Sequence, residues 1–388
     1  GVLTLSMGLI AVLSAWKEIQ YRTGFFYFNL LWSLAGVIGV FCALDLFLFF
    51  VLWEVMLVPM YLLVAIWGYE NRRYAAMKFF NFTQAGGLLM LLSICTLVLL
   101  HYQQSGVLSF DYIDLLQHQL NPTAALWVML GFFIAFIIKL PIVPFHNWLP
   151  DAHTQAPTAV SVILAAVLLK TGGYGLIRFV LPLFPEASMS IAPMVMGLAG
   201  ITVIYGAVMA YAQQDLKRLI AYTSISHMGF VLLGCYAMTQ QAWQGAVMQM
   251  LAHGVSAAAL FALVGAIQYR YHTRDLNELG GLWQVLPKLS AVGLFFVIAS
   301  LGMPGLGNFV AEFLILVGSF ATYPIFTIIA SSGLILAAVF SLAIAQKTFF
   351  GPLKLDSALD LDRREVLMML SMAMLLIGMG LHPQPLID

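Results

Sequence analysis

Apolar runs of about twenty residues recur along the whole chain, and no other feature limits its fold so severely. They lie at about 26–43, 46–68, 78–100, 125–145, 157–179, 190–212, 219–237, 243–268, 289–320 and 325–349, with shorter ones at 1–15 and 366–382. A helix of that length crosses the hydrocarbon core of a bilayer, which is about 30 Å thick. Lipid offers the backbone no hydrogen bonds, so each run has to satisfy its own N–H and C=O groups as a helix. Composition agrees: 62% of the residues are hydrophobic and 9% charged, against about half and a quarter in soluble domains. The expectation is an all-α, polytopic membrane protein with ten or eleven spans. The stretch 1–15 has no basic segment before it and no cleavage site, so it does not read as a signal peptide. The lack of an initiator methionine is what a segment of a longer protein would show.

The placement of charge says more than the net charge of zero. Under this parse fourteen of the 17 basic residues share one face: Lys17, Arg22, Arg72, Arg73, Lys78, Lys217, Arg218, Arg270, Arg274, Lys288, Lys347, Lys354, Arg363 and Arg364. Arg178 lies toward the other face, and Lys139 and Lys170 fall inside spans. The positive-inside rule makes the crowded face cytoplasmic. Acidic lipid headgroups account for these basic loops, and no nucleic-acid partner is called for.

Two spans carry helix breakers. One runs through Lys139-Leu-Pro141-Ile-Val-Pro144, the other through Gly302-Met-Pro304-Gly-Leu-Gly307. Proline removes an intrahelical hydrogen bond, and clustered glycines weaken a helix further. Broken helices at corresponding places in two halves mark inverted-repeat transporters. The expected architecture is therefore two inverted five-helix repeats, about 25–179 and 190–350, each with a broken helix, flanked by 1–24 and 351–388.

Four ionisable residues sit deep within spans: Glu54, Lys139, Lys170 and Glu312. A charge at the bilayer centre costs at least about 2.5–3.5 kcal/mol, so such groups face a partner or water and mark ion pathways. Glu54 is expected to pair with Lys139. His227 and His253 lie among Thr223, Ser224, Ser226 and Ser256. They suit either hydrogen-bonded core positions or a proton relay, since imidazole titrates near neutrality. His146, Asp151 and His153 are read as a partly wet loop, structural or serving proton uptake, rather than a metal site. Cys42, Cys95 and Cys235 are far apart and form no metal or disulfide spacing. No nucleotide loop, haem or iron–sulfur motif, or Ser/His/Asp arrangement occurs. Cofactors are thus expected on other chains, not on this one.

The stretches 49–60 (around Glu54), 139–158 (from Lys139 past His153), 215–229 (to Gly229) and 302–313 (around Glu312) resemble the antiporter-like subunits of proton-pumping NADH:quinone oxidoreductase, respiratory complex I. Glu312, where sister branches usually carry lysine, favours the M-type branch. The resemblance implies that Glu54 modulates Lys139, that Lys139 is the pumping lysine, and that Lys170 connects it onward. It makes His227 and His253 central-axis histidines and Glu312 the terminal group. It also implies FMN, iron–sulfur clusters and quinone in partner subunits, neighbouring membrane-arm subunits as partners, and a bacterial cytoplasmic (inner) membrane. Rival readings are a cation/proton antiporter subunit or membrane-bound hydrogenase subunit of the same fold, or a scaffold that conducts nothing.

Overall fold

The computed structural model describes residues 1–117 and 120–387, and the described residues are almost entirely helical. In chain order the helices are α1 (Val2–Glu18), α2 (Thr23–Cys42), α3 (Leu46–Val55), α4 (Leu57–Trp67), α5 (Arg72–Ser105), α6 (Tyr112–Leu116), α7 (Pro122–Lys139), α8 (Trp148–Gln155) and α9 (Thr158–Leu183). There follow α10 (Pro185–Tyr211), α11 (Leu216–Tyr236), α12 (Gln240–Tyr271), α13 (Leu282–Val285), α14 (Pro287–Leu301), α15 (Gly307–Phe320), α16 (Pro324–Thr348), α17 (Arg363–Leu381) and α18 (Gln384–Ile387). Among the described residues ten helical segments are long and apolar enough to cross a membrane. The run at 289–320 is not one span: it divides into α14 and α15, each shorter than a bilayer requires alone. The shorter run at 366–382 belongs to a full-length helix, α17, opened by a capping box in which Asp362 and Glu365 each accept from the other's backbone N–H.

Both expected breaks are present. α7 stops at Lys139, and residues 140–147 leave the helix before α8 begins. The freed backbone finds partners: Trp148 Nε1 donates to the Ile138 carbonyl at 2.9 Å, and the Ile142 N–H to Ile137 at 2.9 Å. Such internal satisfaction is what lets irregular backbone persist at membrane depth. The second break, between α14 and α15, turns at Gly302 with φ 83°, a left-handed conformation that suits glycine. A third interruption, invisible in the sequence reading, divides α3 from α4 at Met56, two residues after Glu54.

The helices at the centre of the bundle are buried all round, as α9, α11 and α12 show, whereas α2, α5, α10, α16 and α17 keep an exposed apolar side. That outer face suits contact with lipid or with other helices. α9 contains two widened π-helical stretches, Leu164–Leu168 and Leu176–Val180, on either side of Lys170. Single π turns inside α-helices recur at functional sites.

Two small clasps repeat the same hydrogen bonds. Asp45 caps α3 by accepting from the Leu48 N–H at 2.7 Å and bridges, antiparallel, to Asp111. Asp215 caps α11 by accepting from the Arg218 N–H at 3.0 Å and bridges to Asp275 in the same sense. Asp111 and Asp275 each accept from the N–H two residues on, at 2.7 and 2.8 Å. Counting helix crossings from one clasp to the other gives five, so they stand on opposite faces of the bundle.

Candidate proton-relay site

Glu54, Lys139, Lys170, His227, His253 and Glu312 all sit within the bundle, and the structure draws four of them into one line. Lys170 on α9, His227 on α11, His253 on α12 and Glu312 on α15 are each at most 3% exposed. Lys170 Nζ lies 2.8 Å from His253 Nδ1 and also donates to the Ala165 carbonyl within the first π stretch. The rings of His253 and His227 stand 5.4 Å apart, centroid to centroid. His227 Nδ1 then lies 2.9 Å from Glu312 Oε1, and its Nε2 lies 3.3 Å from Ser300 Oγ on α14. Glu312 follows the second break by little more than one helical turn, and its Oε2 rests against Gly302, where a Cβ would come within 3.0 Å. The glycine thus serves both the turn and the close approach of the carboxylate.

Glu54 and Lys139 behave differently. The expected contact ion pair is absent: the two are near enough to feel each other's charge, but no nitrogen and oxygen come within 4.0 Å. The Glu54 carboxylate instead leans on α5, with the Gln84 side chain nearby and Gly87 so close that a Cβ there would stand 2.2 Å from Oε1, which has no hydrogen-bond partner. Lys139 Nζ has no hydrogen-bond partner and sits over the rings of Trp53, at 5.1 Å, and Phe79, at 5.6 Å. Aromatic faces attract a desolvated cation by about 2 kcal/mol or more each, against several kcal/mol for burying the charge. Among the described residues no hydrogen bond joins Lys139 to Lys170. The site is therefore a line of two hydrogen-bonded pairs, Lys170–His253 and His227–Glu312, whose histidine rings adjoin, with Glu54 and Lys139 lying apart from it and making no contact ion pair.

The loop expected at His146–His153 is revised as well. Residues 148–155 are helical, His146 and His153 are buried, and His153 stacks flat on Phe261 at 4.2 Å. Asp151 pairs with Lys78 at 2.6 Å and Arg218 at 3.3 Å. Lys217, counted with the exposed basic face, is only 2% exposed; it donates to the Ala156 carbonyl and lies over the Tyr69 ring at 5.5 Å. Beside it Glu18 accepts from the Thr158 N–H and hydroxyl at 3.1 Å. Burial, and then the Glu18 carboxylate, hold the Tyr69 phenol above its ordinary range.

Sequence reasoning passed over Gln249, Ser300, Gln84 and Trp53. One signal was available for Gln249: it precedes His253 by four residues, so both fall on one face of α12. Trp53 adjoins Glu54 in sequence but reads as ordinary core. Nothing local marks Ser300 or Gln84, whose roles depend on which helices meet.

Residues 43–341 match the family described as NADH:quinone oxidoreductase/Mrp antiporter, TM. A "NADH-quinone oxidoreductase subunit M" from Pseudomonas aeruginosa is 56% identical over 393 residues, covering 100% of this chain and 77% of the relative. The protein of the same name from Escherichia coli K12 is 54% identical over 396 residues, covering 100% and 78%. Among solved structures, a chain of respiratory complex I from Thermus thermophilus superposes with a TM-score of 0.92 at 33% identity, covering 100% of this chain and 82% of that one. A chain of the Mrp complex from Dietzia shares the fold, with a TM-score of 0.87 at 21% identity, covering 99% of this chain and 80% of that one.

Proposed function

Since the chain belongs to the antiporter-like membrane subunits of NADH:quinone oxidoreductase, we propose that it passes protons along Glu54, Lys139, Lys170, His253, His227 and Glu312. It works among other membrane-arm subunits of respiratory complex I. The observation that carries the proposed route is the buried line from Lys170 through His253 and His227 to Glu312. Structural ion pairs seldom come as four titratable groups across four helices, paired by hydrogen bonds at both ends with two adjoining imidazoles between. Buried ionisable groups of this kind are expensive, which is why they mark proton and ion pathways.

The groups divide the work by chemistry. A protonated Lys170 can hand its proton to His253 Nδ1. An imidazole accepts on one nitrogen and releases from the other, so the proton crosses the ring. No direct hydrogen bond joins His253 to His227, so that handover waits for a ring to turn or for a water to enter. His227 then faces Glu312 Oε1 directly. At the other end, the cost of a charge on Lys139 depends on how near Glu54 stands, and the absence of a contact ion pair leaves that distance free to change. Moving one charge against 100 mV costs about 2.3 kcal/mol. In this reading quinone reduction in partner subunits supplies it, FMN and iron–sulfur clusters reside there too, and this chain holds no redox group.

The two halves, 25–179 and 190–350, are proposed to be inverted repeats. The matching clasps at Asp45 and Asp215, on opposite faces, support this. The basic loops are proposed to face the cytoplasm of a bacterial inner membrane, following the positive-inside rule.

The decisive experiment replaces Glu312. Glu312→Gln keeps shape and hydrogen bonding without titrating and should stop most proton uptake by NADH-energised vesicles, normalised to assembled complex. Glu312→Asp and Glu312→Lys should keep part of it, since both can carry a proton. Pumping by the glutamine variant equal to wild type would make Glu312 structural and end this route.

A further inference from the structure

Gln249 on α12 is fully buried and stands inside the junction of the relay. Its Nε2 donates to Glu312 Oε1 at 3.0 Å and lies 3.3 Å from His227 Nδ1, while its Oε1 is buried without a partner. We propose that Gln249 is a positioning residue that holds the Glu312 carboxyl against His227 in both protonation states by turning its amide. The inference rests on the relay reading above and adds to it a neutral side chain that carries no proton itself.

The argument follows from what each group can donate or accept. An ionised carboxylate only accepts, a protonated one also donates, and a primary amide offers two N–H donors at one end and an acceptor at the other. With Glu312 ionised, the amide N–H end belongs toward it, as observed. When a proton passes from His227 to Glu312, the Nδ1–H bond breaks, its electron pair stays on nitrogen, and an O–H bond forms at Oε1. The carboxyl hydrogen first points back at Nδ1, now an acceptor; once His227 takes its next proton on Nδ1 that acceptor is lost, and the carboxyl O–H faces the amide N–H end. A half turn about Cγ–Cδ brings the idle Oε1 of Gln249 round to accept that hydrogen. The same groups then stay bonded before and after transfer, so Glu312 does not drift from His227 as its charge changes. Besides His227, Gln249 is the side chain hydrogen-bonded to the Glu312 carboxylate among the described residues: Ser300 bonds the far nitrogen of His227, the Asn308 amide nitrogen bonds Ser256 at 3.2 Å, and His253 Nδ1 faces Lys170. One helical turn separates Gln249 from His253, so α12 holds both against α11 and α15.

The test compares Gln249→Met with Gln249→Asn in the assembled complex. Methionine preserves length and volume but has no amide, whereas asparagine keeps the amide on a shorter arm. An amide role requires Gln249→Met to lose at least about tenfold in proton uptake per NADH oxidised, the scale of a misplaced reacting group, and Gln249→Asn to retain more. A packing role requires the reverse order. Infrared difference spectra give a second readout. The protonated-carboxyl band that vanishes in Glu312→Gln should move to higher frequency in Gln249→Met, where its acceptor is gone. Should Gln249→Met not assemble, Gln249→Leu takes its place in both measurements. Pumping by the methionine variant at or above that of the asparagine variant, with the band unmoved, overturns the proposal. Wild-type pumping by Glu312→Gln would instead overturn the relay reading itself, so the two failures are distinguishable.

Discussion

Gly87→Ala tests how finely Glu54 is placed, because it changes neither a charge nor a residue of the relay. The added Cβ would stand 2.2 Å from Glu54 Oε1, against 3.4 Å for ordinary contact. Glu54 carries its carboxylate at the end of a flexible arm, so it yields rather than the helices, by about 1 Å, and a displacement of that size in a reacting group can cost about 100-fold. Stability changes the other way, since alanine is favoured over glycine within a helix by about 1 kcal/mol, and assembly should be intact. The expected result is a loss of about 10- to 100-fold in proton uptake, with NADH-driven vesicles as the assay and immunodetected assembled complex as the denominator. Glu54→Asp in the Gly87→Ala background shortens the arm by one methylene and should recover part of the loss. Wild-type pumping by Gly87→Ala would mean that the position of Glu54 against α5 has no bearing on transport.

Lys139→Ala should abolish pumping while leaving the complex assembled, and near wild-type uptake by a correctly assembled variant would remove Lys139 from the pathway. A double-mutant cycle on Glu54 and Lys139 should be strongly non-additive in pumping rate even though the two make no contact ion pair; additive losses would show that they act separately. Outside the spans, burial alone would raise the Asp362 carboxyl, but Lys17, the Glu365 N–H and Arg364 outweigh it and hold it below the usual carboxylate range. The Lys17–Asp362 tie between α1 and α17 is therefore present at neutral pH and lost as pH falls below about 4. Both partners are well exposed, so Asp362→Asn should cost under about 1 kcal/mol, read as a small rise in protease sensitivity at the Asp362–Arg363 junction.

The spans were legible because the hydrophobic requirement of a bilayer is local and strong; most ends fall within a few residues, while α5 runs five to six residues past its apolar run at each end and α7 stops six residues short of its own at the Pro141 break. The breaks at Pro141 and at Pro304 were legible for the same reason: proline and clustered glycine act on their own helix. Lys170, His227, His253 and Glu312 could be picked out because a titratable group in a span is conspicuous. Their grouping could not be derived from composition, since it depends on how α9, α11, α12 and α15 pack. The Glu54–Lys139 contact was expected from charge alone and failed because Glu54 has a nearer seat on Gly87 and Gln84, residues that carry no charge to announce them. The π stretches around Lys170 were hidden too, as nothing in Leu164–Leu168 distinguishes it from ordinary helix.

The paired clasps bear on how such a chain finds its orientation. Asp45-Leu46 opens onto Phe47, Leu48 and Phe49, whereas Asp215-Leu216 opens onto Lys217, Arg218 and Leu219. The capping turn is the same in both places, yet only one of them carries cations. If the halves are the inverted copies proposed above, the odd number of crossings between the clasps sends the second copy into the membrane upside down. The folding information in the turn then tolerates either side of the bilayer, and the topological address is written separately, in basic residues such as Lys217 and Arg218 that the first clasp lacks. Exchanging Phe47-Leu48 for Lys-Arg would contradict that address without touching the cap, setting the fold of the first half against its insertion.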